Sequence, residues 1–290
     1  MFDICTIGHI SLDKVVTAES IKYLPGGTSF YFSKLLLYSN LKCRLITALA
    51  PQDYQIIHDL RAAGLDVHVL PSSDTVYFEN VYSADQNHRK QYVLQKASPF
   101  DISQMPLTNA KIFHLGPLLH DDIPVNMIEY LSNRGLVSLD IQGYLRHIIN
   151  KRVVHLDWRD KITALPNVSI LKANEFEMKV ITGKTDVRDG AKYLANLGVP
   201  EVIITLGSKG SIIYKSGVFY TIRAFKPAAV IDTTGCGDTY MAAYLWKRSM
   251  GSEVQEAGEF GAALATLKIG TFGPFSGAST QITNLMEKSF

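Results

Sequence analysis

The chain has 290 residues, enough for about two domains of roughly 150 residues or for one large α/β domain with an insertion. Hydrophobic residues make up 47% and charged residues 19%, so a sizeable buried core is expected and disorder is not. The net charge of +2 comes without a basic run, which argues against a nucleic-acid partner. Small anions could still bind at local features such as helix N-termini.

Cysteine usage and hydropathy point to the cytoplasm. The three cysteines, Cys5, Cys43 and Cys236, are a sparse, odd set that suits a reducing compartment better than a disulfide framework. No CxxC or HxxxH spacing occurs, so no structural zinc site is expected. No apolar stretch approaches the ~20 residues of a membrane span, and the first residues lack the basic leader of a signal peptide. We therefore expect a cytoplasmic protein with no membrane partner.

Short β-rich apolar runs alternate along the chain with segments of helical periodicity. The predicted strands are residues 2–7, 44–49, 67–70, 112–115, 136–139, 168–171 and 202–206. The predicted helices are residues 29–38, 56–63, 122–131, 188–197, 238–250 and 252–269. Buried strands that alternate with helices indicate a mostly parallel sheet covered on both faces. The predicted fold is therefore a doubly wound, Rossmann-like α/β domain that takes in residues 1–290.

Two stretches early in the chain break this alternation. Residues 11–23 mix polar and apolar positions directly after the first strand. Residues 75–95 alternate between apolar and polar, turn at residues 84–87 and alternate again, which is typical of a β-hairpin. We predict that two insertions, at about residues 11–24 and 74–97, form a small β-sheet lid over the carboxyl edge of the main sheet. The alternative is a pair of unrelated surface loops.

The segment around residues 230–240 contains the strongest candidates for catalytic and anion-binding residues. A predicted strand end runs into Asp232, Gly235 and Gly237 follow, and a periodic helix starts near Asp238. Glycines let successive N–H groups point at one spot, and at a helix N-terminus those groups form an anion site. A carboxylate beside a bound phosphate suits proton abstraction from a hydroxyl that attacks this phosphate. The alternative is a helix cap with turn glycines.

The string D-T-T-G-C-G-D, residues 232–238, resembles the D-T-x-G-A-G-D signature of the ribokinase-like (PfkB) carbohydrate kinase family. Four further segments resemble family motifs and occur in the family's order. They are Gly8-x-x-x-x-Asp13, Pro25-Gly26-Gly27, Asn174-x-x-Glu177 and Thr205-x-Gly207-x-Lys209-Gly210. The resemblance extends over essentially the whole chain, including the lid insertions. It implies a ribokinase-like fold and ATP-dependent phosphorylation of a sugar or polyol hydroxyl.

The resemblance also implies roles for individual residues. Asp238 would be the general base, and Gly235, Cys236 and Gly237 would form the hole for the transferring phosphoryl group. The implied acceptor contacts are Asp13, Gly26 and Gly27. The implied ATP contacts are Asn174, Thr205, Gly207, Lys209 and Gly210. The implied cation contacts are Glu177, which reaches Mg²⁺ through water, and Asp232 and Thr234, near which a monovalent cation such as K⁺ would bind.

The weaker motifs also have purely structural explanations. Asp13 could be a turn residue, and Gly26 and Gly27 could be a hinge. Asn174 could be a helix N-cap that forms a capping box with Glu177. We predict the functional roles because all five motifs occur in the family's order.

Three positions depart from the family pattern. Tyr31 stands where the Gly-Gly turn is often followed by an acceptor-binding Asn, and Ala50-Pro-Gln-Asp53 replaces the usual G-x-D. Cys236 replaces the commoner Ala and keeps the loop backbone. A cysteine in an anion site at a helix N-terminus is expected to be a reactive thiolate. The alternative is a buried, inert side chain that fills an Ala-sized site.

Residues 140–146 follow a predicted strand and lie where ligands bind in open α/β sheets. The segment is similar to one in family members assigned as inositol or related polyol kinases. This similarity implies that Gln142 and Arg146 contact the acceptor. The alternative is a loop that Asp140 and Arg146 stabilise.

Two other functions are open at this point. One is a nucleoside kinase on the same fold, which an acceptor panel would distinguish. The other is a regulator that binds nucleotide or sugar without turnover, and an intact Asp238 and glycine loop argue against it. The expected partner is a small-molecule substrate, and a spare edge of the lid sheet could pair across a homodimer.

Overall fold

The computed structural model describes residues 1–82, 89–278 and 280–282. Its strands in chain order are β1 (Phe2–Ile7), β2 (Ser11–Val16), β3 (Ile21–Gly26), β4 (Cys43–Leu49), β5 (Asp66–Pro71), β6 (Val76–Tyr82), β7 (Arg89–Gln95), β8 (Ala110–Leu115), β9 (Leu136–Asp140), β10 (Arg146–Ile149), β11 (Arg152–His155), β12 (Ile170–Asn174), β13 (Glu201–Thr205), β14 (Ser211–Lys215) and β15 (Val218–Ile222). Its helices are α1 (Thr28–Leu36), α2 (Gln55–Ala62), α3 (Val125–Ser132), α4 (Lys161–Ala164), α5 (Glu175–Thr182), α6 (Val187–Asn196), α7 (Cys236–Ser249) and α8 (Val254–Ile269). No helix within these ranges is both long enough and apolar enough to cross a membrane. The hairpin turn predicted at residues 84–87 lies outside the described residues.

The large sheet has the strand order β15-β14-β13-β12-β9-β8-β1-β4-β5. The strands from β13 to β5 run parallel, and β14 and β15 add an antiparallel hairpin at one edge. Neighbouring residues face opposite sides: Ile4 joins the core under α1, α7 and α8, whereas Cys5 joins the core under α3, α5 and α6. Both faces are therefore covered, as near-continuous apolar strands require. The predicted doubly wound, mostly parallel fold is confirmed.

A second sheet has the strand order β10-β11-β7-β6-β2-β3 and forms the lid. Strands β2 and β6 pair in parallel, so the two predicted insertions join in one sheet and are not unrelated loops. The prediction of two insertions is incomplete, because a third segment supplies β10 and β11. The turn between them places Asn150 and Lys151 at positive φ, as in a type I′ hairpin, but lacks the Asn-Gly pair that marks such turns in a sequence.

One predicted strand is wrong. We expected a strand to end at Asp232, but residues 223–235 contain no strand. Val230 and Ile231 are 66% and 59% exposed. The N–H groups of Ile231 and Asp232 instead donate to the carbonyl oxygen of Ile269 at the end of α8. β-branched residues favour a strand only where they have neighbours to pack against.

The carboxyl ends of the parallel strands meet at the edge beneath the lid. From β1 the chain moves to β4 and β5 on one side of the sheet, and from β8 it moves to β9, β12 and β13 on the other. Ligands of open α/β sheets bind at such a switch point, which lies here between β1 and β8. The lid begins directly after β1, so it stands beside this point.

The outer edge of the lid carries exposed apolar side chains. Strand β3 ends the small sheet, and its Ile21 and Tyr23 are 57% and 65% exposed. An unpaired strand edge of this kind can pair with a second chain. The homodimer through the lid stays a prediction.

Candidate active site

A cavity of about 390 Å³ lies between the lid and the N-terminus of α7. Its wall combines residues of the lid, of α1, of the segment after β9 and of the turn before α7. They are Ser11, Asp13, Gly27, Thr28, Tyr31, Phe78, Gln91, Leu118, Gln142, Arg146, Thr233, Thr234, Gly235 and Asp238. The cavity therefore brings several predicted acceptor contacts together with the predicted base.

Residues 233–237, which comprise the turn before α7 and the first two residues of that helix, are called the anion loop below. The helix begins at Cys236, two residues before the predicted start, and Gly235 is its N-cap with a φ of +73°. A Cβ on Gly235 would overlap the ring of Tyr31, so only glycine fits there. The N–H groups of Gly237 and Asp238 lie in the first helical turn and therefore have no acceptor within the helix. Such groups attract an anion, so the loop can hold a phosphoryl group.

Asp238 lies in the first turn of α7 and lines the cavity. Burial and the negative charge of Asp140 raise its pKa to about 6, against the opposing charges of Lys172 and Arg146. A carboxyl group with this pKa is largely ionised at neutral pH and is still basic enough to accept a hydroxyl proton. Its place and its basicity suit a general base.

Lys172 and Asp140 form a buried ion pair that the sequence analysis missed. The Nζ of Lys172 lies 2.8 Å from Oδ2 of Asp140, and the two residues are register partners on β12 and β9. Burial disfavours the charged ammonium and alone would lower its pKa. The carboxylates of Asp140, Glu177 and Asp238 have the larger combined effect, so the pKa of Lys172 is raised. A Cβ on Gly237 would lie 3.1 Å from Nζ, so this cation sits directly beside the anion loop. A lysine inside an otherwise apolar strand was the signal available in the sequence.

Asp13 lies on β2, at the junction of the lid and the main sheet, and faces the cavity. It is therefore a strand residue and not a turn residue. Its Oδ1 accepts a hydrogen bond from the Ser11 hydroxyl at 2.8 Å. A Cβ on Gly26 would lie 2.6 Å from Oδ2 of Asp13, and Gly27 has a φ of +96°. Both glycines are thus needed for the chain to pass closely beneath Asp13 into α1.

The segment after β9 reaches the cavity. Gln142 donates from Nε2 to the Thr28 hydroxyl at the start of α1, and its Oε1 accepts a hydrogen bond of 2.9 Å from Nη2 of Arg146. The Oδ1 of Asp140 accepts the N–H of Gln142 at 3.1 Å. Asp140 therefore also stabilises this loop, as the alternative explanation of the segment predicted. Gln142 and Arg146 are therefore held in fixed positions on the cavity wall.

Asn174 and Glu177 form a complete capping box on α5. Oδ1 of Asn174 accepts the N–H of Glu177 at 2.8 Å, and Oε2 of Glu177 accepts the N–H of Asn174 at 2.7 Å. The structural explanation of this motif is therefore correct. A further role of the two residues toward phosphate or magnesium stays a prediction.

The other predicted donor-side residues lie at the end of β13 and in the turn after it, and β13 is the neighbour of β12 in the sheet. Thr205 is the register partner of Asn174, and Lys209 is exposed in the turn that follows. Gly207 and Gly210 both have positive φ, and a Cβ on Gly210 would overlap the carbonyl oxygen of Ile222. None of these residues lines the cavity; they form a separate face beside it.

Magnesium fits this site only as an ion held largely by phosphate and water. In the described ranges no group of three or more His, Cys, Asp or Glu side chains could hold a metal ion. Burial raises the pKa of Glu177, and the cap already occupies one of its oxygens. Mg²⁺ usually keeps several waters and is bound by one or two carboxylates together with substrate phosphates. Glu177 would hold it through water in this way.

The monovalent cation expected near Asp232 and Thr234 does not fit. The carbonyl oxygen of Asp232 accepts a hydrogen bond of 2.7 Å from Nζ of Lys268, which also lies 3.2 Å from Oδ2. Oδ1 accepts the N–H of Thr234 at 2.9 Å, and Oδ2 accepts the N–H of Gly273 at 3.0 Å. The oxygens of Asp232 already have donors, so the expected K⁺ site is not supported.

The reactive thiol predicted at Cys236 is wrong. Burial raises its pKa to about 11; Lys268 opposes this shift, and the carboxylates of Asp232 and Asp238 add to it. The Sγ lies 3.9 Å from the carbonyl oxygen of Asp232. A raised pKa of the thiol favours the alternative explanation, an unreactive replacement for alanine, although the side chain is only partly buried.

The two other departures from the family pattern have different consequences. Tyr31 is buried on the cavity wall, where burial and the carboxylate of Asp232 raise the pKa of its hydroxyl, so it is a neutral group. Asp53 does not line the cavity, because its Oδ2 accepts the hydroxyl of Thr75 at the base of the lid. Tyr31 therefore lies where an acceptor could contact it, whereas Asp53 lies outside the cavity.

Comparison with known proteins agrees with this geometry. Residues 3–281 match the model of the pfkB family of carbohydrate kinases. A cytidine kinase from Thermococcus kodakarensis is 27% identical over 286 residues, which cover 95% of this chain and 99% of that enzyme. A pyrophosphate-dependent kinase of the ribokinase family, solved with a pyrophosphate analog and myo-inositol, is 26% identical, with a TM-score of 0.86 over 97% of this chain and 99% of that one. Arabidopsis thaliana ribokinase, solved with ribose and ATP, shares the fold at 20% identity, with a TM-score of 0.80 over 99% of both chains.

These findings agree on the class of reaction. The family match extends over nearly the whole chain, and the relatives act on small sugars, polyols or nucleosides. The cavity holds the signature aspartate and glycine of the family at the N-terminus of a helix. The chain belongs to the PfkB family of carbohydrate kinases and is a sugar or nucleoside kinase.

Proposed function

We propose that this kinase transfers the γ-phosphoryl group of ATP to a hydroxyl of a small sugar or polyol. The observation that carries the proposal is the shared cavity. Asp238 and residues of the anion loop line it, and so do Asp13 and the Gln142–Arg146 pair. An acceptor held by Asp13 would present a hydroxyl to the base beside the phosphate site.

The acceptor is oriented first. The carboxylate of Asp13 accepts hydrogen bonds from acceptor hydroxyls, each worth roughly 1.5–3 kcal/mol. Asp238 then takes the proton of the attacking hydroxyl. The hydroxyl oxygen forms a bond to the γ-phosphorus while the bond from that phosphorus to the bridging oxygen of ADP breaks. The proton stays on Asp238 until ADP and the phosphorylated product leave.

Charge on the transferring group is stabilised by fixed groups of the chain. The N–H groups of Gly237 and Asp238 point from the first turn of α7, and the ammonium of Lys172 lies beside Gly237. Mg²⁺, when bound through Glu177 and water, neutralises part of the phosphate charge. Positioning and electrostatics of this kind supply most of the catalysis in phosphoryl transfer.

The proposed donor is ATP and not pyrophosphate. Phe225, Val230 and Ile231 are between 46% and 66% exposed in the segment that leads into the anion loop. The start of this segment packs against the donor-side turn, where a Cβ on Gly210 would lie 2.9 Å from the N atom of Ala224. Exposed apolar surface beside a phosphate site often marks a ligand-binding face. A purine base can cover this surface, whereas pyrophosphate has no group that could.

The proposed acceptor is an uncharged polyhydroxylated molecule. Polar side chains surround the cavity, among them Ser11, Gln91 and Gln142, and Phe78 offers one apolar face for a ring. A nucleoside is the second candidate, because the cytidine kinase matches 95% of the chain. A nucleoside acceptor would need room for a base in addition to its sugar.

A matrix of donors and acceptors tests the proposal. ATP, GTP and pyrophosphate are each supplied with Mg²⁺ against ribose, fructose, myo-inositol, cytidine and adenosine, and phosphorylated product is measured directly. We expect the highest kcat/KM for ATP with a sugar or with the inositol. Faster turnover with pyrophosphate than with ATP would contradict the donor, and a preference for cytidine or adenosine over every sugar and polyol would establish the nucleoside alternative.

A further inference from the structure

Lys268 is a fully buried lysine in the last turn of α8, with none of its surface exposed. An ammonium group away from water is tolerated only when oxygen atoms surround it. Its Nζ donates to the carbonyl oxygen of Asp232 at 2.7 Å and lies 3.2 Å from Oδ2 of the same residue. Both acceptors belong to the residue that immediately precedes the anion loop.

Asp232 extends this contact into the anion loop. Its Oδ1 accepts the N–H of Thr234, which is part of the loop, and its Oδ2 accepts the N–H of Gly273, which follows α8. The N–H of Asp232 donates to the carbonyl oxygen of Ile269, next to Lys268. The ammonium therefore lies at the centre of the contacts that attach the anion loop to the end of α8.

We propose that the ammonium of Lys268 replaces a monovalent cation, so that it positions the anion loop through Asp232 and makes the kinase independent of K⁺. An ammonium group and K⁺ are similar in size and bind the same carbonyl and carboxylate oxygens. The family resemblance implied a diffusible cation near Asp232 and Thr234, and this chain carries the charge on its own side chain instead. Lys268 acts through Asp232, so it is a positioning residue.

An ordinary ion pair between α8 and the loop segment is the competing explanation. Removing such a pair would destabilise the protein, but no added cation would restore it. Lys247 provides a matched control, because it is also buried and its Nζ lies 2.7 Å from Glu256, which joins α7 to α8 away from the anion loop. A cation that restores Lys268→Ala but not Lys247→Ala would therefore identify the proposed role.

The first experiment uses the unaltered protein. Thermal melts and turnover with ATP, Mg²⁺ and the best acceptor are measured in choline, sodium, potassium and ammonium chloride at equal ionic strength. We expect kcat to vary by less than about twofold and the melting temperature to stay constant, because the site is already filled. Activation of about tenfold by K⁺, with a matching rise in melting temperature, would overturn the proposal.

The second experiment removes the ammonium group from its place beside Asp232. In choline chloride, Lys268→Ala should lose about tenfold to a hundredfold in kcat with little change in acceptor KM, because a displaced anion loop misplaces the phosphoryl group while Asp13 is unaffected. Potassium or ammonium chloride should restore much of kcat and raise the melting temperature of this variant. Lys268→Met keeps the volume without the charge, so it should lose activity and respond to no cation.

The outcomes separate the inference from the proposed function. The melting temperatures need no acceptor, so the cation response of Lys268→Ala can be read even if no acceptor in the panel is used. Full activity of Lys268→Ala in choline, or a folded variant that K⁺ neither stabilises nor activates, would refute the replacement. If Lys268→Ala does not fold, the cation panel on the unaltered protein still decides whether the kinase is independent of K⁺.

Discussion

The two ends of the cavity are built differently. At the anion-loop end, Lys172 and Asp140 pair between neighbouring strands inside the large sheet. At the lid end, Asp13 and Phe78 are register partners in a small sheet whose outer strand exposes apolar side chains to solvent. The Lys172–Asp140 ion pair thus lies on the buried scaffold, whereas the proposed acceptor contact Asp13 lies on a peripheral sheet. We expect substitutions at the first end to lower kcat and those at the second to raise the acceptor KM.

The substitution Asp238→Asn should have the largest effect. Asn has nearly the same shape but cannot take the hydroxyl proton, and loss of a general base costs about 10²–10⁴-fold in rate. Removal of a negative charge near the phosphates should leave ATP binding intact or tighter. Thermal melts with and without ATP and turnover with the best acceptor measure both effects. Near-normal turnover of a folded variant would contradict the assigned base.

A pair of glycine substitutions should sharpen the description of the anion-loop end. Gly235→Ala forces a left-handed residue and a clash with Tyr31, at a cost of about 1–3 kcal/mol for the backbone alone. Gly237→Ala adds a Cβ at normal φ that meets only the flexible end of Lys172. We expect the first variant to lose more stability and more kcat than the second. Equal losses in chemical denaturation and turnover would argue against the loop geometry described.

The substitution Asp13→Ala tests the lid end. Loss of a charged hydrogen bond of roughly 1.5–3 kcal/mol should reduce acceptor kcat/KM by at least about tenfold, with nucleotide affinity nearly unchanged. Lys14→Ala is a suitable control, because Lys14 is the next residue on β2 and pairs with Glu79 on the lid. If Asp13→Ala leaves the acceptor kinetics unchanged, the proposed contact between Asp13 and the acceptor is contradicted and the residue has only a structural role.

The pH dependence of kcat/KM should report the carboxyl group at the anion-loop end. As the proposed base, Asp238 would need to be ionised; because its pKa is raised to about 6, we expect activity to fall as the pH drops below about 6. The negative charge of Asp140 contributes to this rise, so Asp140→Asn should move the acidic limb to lower pH. A limb that moves to higher pH in this variant would contradict the assigned cause.

The smallest effect is expected for Cys236→Ala. The thiol has a pKa of about 11 and is almost entirely protonated at neutral pH. We therefore expect near-normal kcat in the variant and slow inactivation of the unaltered protein by iodoacetamide. Rapid alkylation of Cys236 that ATP prevents would show that the loop is more open than described here.

The motifs predicted those features that depend on local backbone geometry. The motifs singled out Gly235 and Gly27, and the positive φ of both residues explains why glycine stands there. Lys172 and Lys268 could not be found in this way, because their acceptors lie 32 and 36 residues away along the chain and lysine usually marks an exposed surface. The β10–β11 hairpin was missed because its turn is Asn-Lys, and the strand before Asp232 was wrongly predicted from β-branched residues that find no neighbour.

The contact between Tyr31 and Gly235 limits how this kinase can change its substrate. The Tyr31 ring lines the proposed acceptor cavity and also occupies the space beside Gly235, the N-cap of α7. A smaller residue at position 31 would enlarge the cavity but remove a side chain that packs against the anion loop. We therefore expect selection for a new substrate at this position to lower the rate of phosphoryl transfer. Phe78 and Gln91 belong to the lid and can vary independently of that loop. New specificities, natural or engineered, should therefore arise first at these lid positions.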